Sequence, residues 1–140
     1  MKRVVKNLIA STLVMMIAVV LFAFVAPQDQ KAGAAWAVPA KYKSMKNTAK
    51  KTAELEKVGK LLYTKHCKSC HGGTGLGDGP KAASMKTKIK SFKDAKFQGQ
   101  SDGEIYFESF VGRDEMPNFE KKILEEDERW AIVNFTRTLK

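Results

Sequence analysis

Cys67-Lys68-Ser69-Cys70-His71 places two thiols three positions apart, about one helical turn, with an imidazole directly after the second. Thiols so spaced reach the vinyl groups along one edge of a porphyrin. The histidine that follows meets the iron from the same side, which is the logic of the C-x-x-C-H haem attachment signature. Cys67 and Cys70 are the only cysteines in the 140-residue chain. Three other uses fit worse. A thioredoxin-like redox motif needs a βαβ pattern, which this sequence lacks. A zinc site needs four ligands, and Cys67, Cys70, His66 and His71 come from six consecutive positions, too close to surround an ion tetrahedrally. A disulfide across two intervening residues constrains almost nothing.

Upstream of the motif, Thr52 is a candidate N-cap and Ala53 to His66 reads as a helix. Leu55, Val58 and Leu62 recur at helical spacing, with Gly59 on the same face and Tyr63 beside it. A mid-helix glycine costs about 1 kcal/mol against alanine, so its use here is the close approach of a second helix. Downstream, Gly72 to Pro80 holds five glycines. Such a stretch cannot hold a helix and lets backbone pass close to something flat and bulky. It is no phosphate loop, because no strand precedes it and no Lys-Ser/Thr follows at the required spacing. Pro80 opens a short helix through about Met85.

Lys81, Lys86, Lys88, Lys90, Lys93 and Lys96 form a basic stretch with Asp94 as its one acid. It reads either as a solvated loop or as a docking patch for an acidic partner. Phe92 and Phe97 turn inward. Ser101-Asp102-Gly103-Glu104 has the capping-box form, and a helix from about Asp102 to Val111 ends at Gly112. Pro117 disfavours helix at Met116, which makes 112–119 an extended or turning loop. A last helix opens with Glu125, Glu126, Asp127 and Glu128 and carries Arg129, Arg137 and Lys140 later, an order that suits the helix dipole. Ile132, Phe135, Thr136 and Leu139 form its apolar stripe, with Trp130 and Val133 adjoining and Thr136 the unexplained polar member. Residues 72–101 carry little regular structure for so small a domain, a difficulty that wrapping a large apolar cofactor removes.

The amino-terminal 35 residues read as a targeting segment. Lys2, Arg3 and Lys6 precede a nearly unbroken apolar run from Leu8 to Ala26, and Ala32-Gly33-Ala34 offers a small-x-small cleavage site before Ala35. The run is 19 residues, long for a signal sequence and just enough to cross a bilayer, so an uncleaved anchor through residues 8–26 is the alternative. Both place the domain outside the cytoplasm, in a periplasm or on the outer face of the cytoplasmic membrane. Residues 36–52 read as a strap or linker and 53–140 as the folded domain. The net charge of +10 falls to +7 without residues 1–35, as four bases and one acid leave. Nucleic acid is a poor partner for an exported chain; acidic proteins or anionic lipid headgroups suit it better.

A six-coordinate iron needs a donor opposite His71. Beyond residue 35 the methionines are Met45, Met85 and Met116. Met116 lies 45 residues past His71 in an inter-helix loop stiffened by Pro117, which lets the chain pass round the porphyrin edge. Met85 follows the attachment site too closely, Met45 precedes the attachment helix, and His66 adjoins the motif and does not easily reach the far face. Met116 is therefore the expected second ligand.

The chain resembles class I c-type cytochromes, particularly the small bacterial monohaem kind. The resemblance rests on Gly59-x-x-Leu62-Tyr63-x-x-x-Cys67-x-x-Cys70-His71-Gly72, on Gly75-x-Gly77-Asp78-Gly79-Pro80, on Gly112-Arg113-x-x-Met116-Pro117-x-Phe119 and on Trp130 to Phe135, and spans about 53–140. It implies an all-α fold of three to five helices around one covalently bound haem c, with the first and last helices crossing where Gly59 and Tyr63 meet Ile132 and Phe135. It implies that Pro80 lends its carbonyl to the Nδ1–H of His71. Arg113 reads equally as a haem-propionate partner or as a surface arginine. Thr136 and Leu124 depart from the pattern, where an apolar residue and a small N-cap are usual.

The expected function is single-electron transfer between redox partners, as in a respiratory chain, through a His71/Met116-ligated iron, and not enzymatic catalysis. Methionine sulfur favours Fe(II), and a filled sixth position excludes substrate. A membrane-anchored haem subunit of an oxidoreductase complex and a sensor or enzyme with an open distal site are the alternatives.

Overall fold

The computed structural model describes residues 31–140. Strand β1 (Lys31–Ala32) and the one-turn helix α1 (Ala40–Lys43) lead to helix α2 (Ala53–His66). The motif forms α3 (Lys68–His71); a 3-10 turn at Ala82–Ser84, strand β2 (Thr87–Lys88) and the short α4 (Ala95–Gln98) follow. Then come α5 (Asp102–Tyr106), a π turn (Phe107–Val111) and α6 (Glu126–Thr138). β1 and β2 pair in parallel over two residues each, with Lys31 opposite Thr87 and Ala32 opposite Lys88. The architecture is otherwise helix and loop, the all-α class expected.

α2 begins where Thr52 accepts a hydrogen bond from the Leu55 N–H at 3.1 Å. It crosses α6 in the most extensive contact between elements of the fold. Gly59 makes the crossing possible: a Cβ there would stand 2.2 Å from the Ala131 carbonyl oxygen and 3.3 Å from Phe135 Cβ. The Tyr63 and Phe135 rings meet 5.1 Å apart, so Ala131 and Phe135 are the partners on α6, while Ile132 faces the main core. Gly59→Ala forces two helix backbones apart. We expect it to destabilise the protein by about 3 kcal/mol, overpacking outweighing about 1 kcal/mol of helix propensity gained. Thermal unfolding followed by circular dichroism checks this, and an unchanged midpoint would exclude so tight a crossing.

The core gathers Ile105, Tyr106, Phe110, Phe119, Ile123, Trp130, Ile132 and Val133. Trp130 is fully buried, and its indole N–H donates to Glu126. Thr136, the polar member of the stripe, is buried too, and its hydroxyl donates to the Val133 carbonyl at 2.8 Å. That bond within the helix removes the desolvation cost which made the residue look misplaced. At the other end of α6 the cap is Glu125, with no side-chain hydrogen bond, and Leu124 lies exposed. Arg129 ties this entrance down by donating to the Ile123 and Leu124 carbonyls and to the Tyr106 hydroxyl.

The capping box at α5 is present, with Ser101 accepting from the Glu104 N–H and Glu104 from the Ser101 N–H. The helix expected to reach Val111 departs from α-helical register after Tyr106 and finishes as a π turn before Gly112, whose φ is +70°. The Phe110 carbonyl accepts from the Phe119 and Glu120 N–H groups instead, fixing the return of the Met116 loop.

Residues 36–52 do not hang free as a linker. Trp36 meets Phe107 edge-on at 6.1 Å, Tyr42 lies 4.8 Å from the same ring, and Met45 and Ala49 pack on the core. Gly103 admits this strap, since a Cβ there would collide with the Tyr42 carbonyl. Asn47 donates to both Asp102 and Asn134, and the Arg137 guanidinium grips Asp102 from the far side. The sequence shows little pattern here because an irregular strap has no period; its contacts are all tertiary. The expectations placed on residues 1–30, including the apolar run 8–26, fall outside the described residues. Among the described residues no helix is long and apolar enough to cross a membrane.

Candidate haem site

Cys67 closes α2 with its N–H on the Tyr63 carbonyl at 2.8 Å and opens α3, the single turn that carries the motif. The N–H groups of Cys70 and His71 both return to the Cys67 carbonyl, at 3.1 and 3.0 Å. This turn sets both thiols and the imidazole on one short rigid element fixed to the long helix. No disulfide joins Cys67 to Cys70. Burial, and then Cys70 beside it, push the Cys67 thiol up to about 12, so it stays protonated at neutral pH.

The glycine loop folds back onto the motif. The Gly77 N–H donates to the His71 carbonyl at 2.9 Å, Gly79 to Cys70 at 3.1 Å and Lys81 to Ser69 at 2.8 Å. Gly79 must lack a side chain, because a Cβ there would lie 2.5 Å from the Ser69 carbonyl oxygen. The Tyr63 hydroxyl donates to the Gly72 carbonyl at 2.7 Å. Phe92 stacks on the His71 ring at 4.8 Å and on Phe97 at 4.5 Å, so both phenylalanines turn inward as expected.

Burial depresses the His71 imidazole to about 4, which keeps it neutral with a lone pair to give. Its Nδ1 is buried without a hydrogen-bond partner. The bond expected from this nitrogen to the Pro80 carbonyl is therefore not formed. Pro80 nonetheless sits between Gly79 and Lys81, the two residues whose N–H groups bind the motif. Two cysteines outside any disulfide and a neutral imidazole with a buried, unbonded Nδ1, all on one turn, are a donor set that fits haem c. Cys67 and Cys70 would hold the group through thioethers and His71 would bind its iron.

Met116 lies away from this turn in sequence, partly buried against the core. It closes a tight hairpin with Arg113, each donating its N–H to the other's carbonyl at 2.8 Å, with Asp114 at the bend in left-handed conformation, φ +47°. Glu115 accepts from the Lys86 N–H at 3.0 Å and the Thr87 N–H at 2.9 Å. These bonds, the Lys86 one foremost, hold its carboxyl below the usual range. Arg113 is not poised for a propionate. Its guanidinium donates to the Ala35 carbonyl at 2.9 Å and to the Ala34 carbonyl, and lies 4.1 Å over the Trp36 ring. Of the other candidates, Met45 packs in the core and His66 lies edge-on to Phe119 at 5.9 Å. Glu115 carried no sequence signal, since a lone acid in a loop reads as surface charge.

Comparison with curated proteins finds no match to this chain. The family model described as cytochrome c matches residues 56–140, from the second turn of α2 through the end of the chain. That match covers more than half of the sequence, includes the attachment turn and ends beyond the helix that crosses it, and so the chain belongs to the cytochrome c family, whose members carry electrons on covalently attached haem c.

Proposed function

We propose that this chain is an exported monohaem cytochrome c that passes single electrons between redox partners through an iron ligated by His71 and Met116, and that it is not an enzyme. The observation that carries this reading is the Met116 hairpin, closed by two backbone hydrogen bonds and packed against the core. A methionine so held is ready to fill a sixth coordination position and to stay there in both oxidation states, which favours fast transfer without rearrangement. The bound group supplies a one-electron couple. The chain supplies the thiols that would fix it, the neutral imidazole at His71 and, in Met116, a thioether that would close the far side.

Several carboxylates serve structure: Glu104 in a capping box, Asp102 against Arg137, Glu126 on the Trp130 indole, Glu115 on loop backbone. The basic amino terminus and the apolar run 8–26 support export, and the contacts of residues 31–36 with the domain favour that run staying on the chain as an anchor. Lysines 86, 88, 90, 93 and 96 favour partners with acidic docking surfaces.

The test is the absorption spectrum of the purified full chain, oxidised and reduced, with and without carbon monoxide. A low-spin c-type spectrum with a methionine–iron charge-transfer band and no response to carbon monoxide is expected. A high-spin spectrum or ready carbon monoxide binding would overturn the proposal in favour of an open distal site.

A further inference from the structure

The hairpin that presents Met116 is tied on both sides to one unit of the fold. Arg113 donates to the Ala34 and Ala35 carbonyls and covers Trp36. Glu115 receives the N–H groups of Lys86 and Thr87. The two anchor points are themselves joined, because β1 at Lys31–Ala32 pairs with β2 at Thr87–Lys88. Gly33 continues this seam, with room for a Cβ denied by Thr87. The residues at either side of the bend thus reach two halves of the same strap.

We propose that Arg113 and Glu115 are positioning residues, which clamp the Met116 hairpin to the joined segments 31–36 and 86–88 and so hold the methionine sulfur where it would ligate iron. This rests on the reading of Met116 given above. A four-residue hairpin with a non-glycine residue in left-handed conformation is a weak element on its own. Its two backbone bonds close the bend on itself, and only the Met116 side chain packs on the core. Charge-assisted hydrogen bonds tie the flanks to neighbouring segments and are stronger than neutral ones. The strap that leads out of the amino-terminal segment is thereby coupled to the ligand loop, although about 80 residues separate them in sequence.

The test is a titration of the oxidised, haem-loaded full chain with imidazole, which binds only when the methionine is displaced. Its apparent affinity follows the fraction of molecules with an open hairpin. Arg113→Ala and Glu115→Ala are each expected to tighten imidazole binding roughly tenfold, the effect of losing about one charge-assisted interaction. Arg113→Lys and Glu115→Gln, which keep part of the bonding, fall between. Thermal unfolding by circular dichroism reads global stability separately and is expected to move little. Wild-type imidazole affinity in both alanine variants overturns the clamp. So does an affinity that rises only in step with lost global stability. A wild-type protein without the methionine band, or a Met116→Ala protein that retains it, instead sinks the ligand assignment on which the clamp rests.

Discussion

Met116→Ala in the haem-loaded full chain is expected to abolish the methionine–iron charge-transfer band and to let carbon monoxide bind the reduced protein. Among the described residues no other methionine is comparably placed, for Met45 is engaged in the core beside Gly103 and Met85 lies just past the loop that returns onto the motif. Removing the thioether opens the far side and withdraws a ligand that favours Fe(II). The reduction potential is expected to fall by on the order of 0.1–0.2 V, within the roughly 0.8 V that axial ligation commands. The packing loss is smaller, because Met116 is only partly buried and a truncated core methionine costs about 2 kcal/mol at the low end of its range. The domain therefore survives to be measured. Met85→Ala serves as the control and keeps the band; loss of the band there, with retention in Met116→Ala, would reverse the assignment.

Replacing both Cys67 and Cys70 with Ser is expected to remove covalent haem altogether, so that acidified solvent extracts all pigment and none migrates with the denatured chain. A second consequence is structural. Residues 72–101 hold only a 3-10 turn, a two-residue strand and one short helix. They are held by three backbone bonds to the motif, by Phe92 stacking against His71, and by side-chain bonds from Tyr63, Glu115 and Arg137. A domain of this size has a net stability of about 5–15 kcal/mol, and a group bound only by the folded state contributes directly to it. Circular dichroism of the double variant is expected to show a large loss of helix. Native-like helix and a native-like melting temperature would mean that the fold stands without the group.

The parts of this fold that were legible in the sequence are those whose signals are local. Thr52 and the Gly59 face delimited α2 to the residue, and the Ser101–Glu104 box marked the start of α5. Gly59 announced the helix crossing, because an unfavourable residue at a buried helical position calls for a reason. What stayed hidden depends on partners far along the chain. Arg113 read equally as a propionate partner or a surface charge until Ala34, Ala35 and Trp36 were seen around it. Tyr42, Met45 and Asn47 lie in an aperiodic strap, so nothing in their spacing revealed that they pack or bond. The π turn after Tyr106 goes with a Phe110 carbonyl that takes the Phe119 and Glu120 N–H groups, nine and ten positions on, a spacing with no helical or strand period. Thr136 looked anomalous only because a hydroxyl's bond to its own helix leaves no mark in a hydropathy pattern.

The crossing of α2 with α6 also bears on how the chain reaches its native state. These helices are the longest in the described fold and are each other's chief partner, yet Gly59 and Ala131 lie about 70 positions apart. Contacts of such high sequence separation must meet the entropy of closing a long loop before they return anything, which slows folding relative to a bundle of neighbouring helices. A nascent chain lacking residues 126–138 has Gly59 and Tyr63 facing solvent and no Trp130 to close the core. Synthesis must pass the last helix before the domain can become resistant to proteolysis, and the attachment turn stays accessible to modifying enzymes for that whole interval.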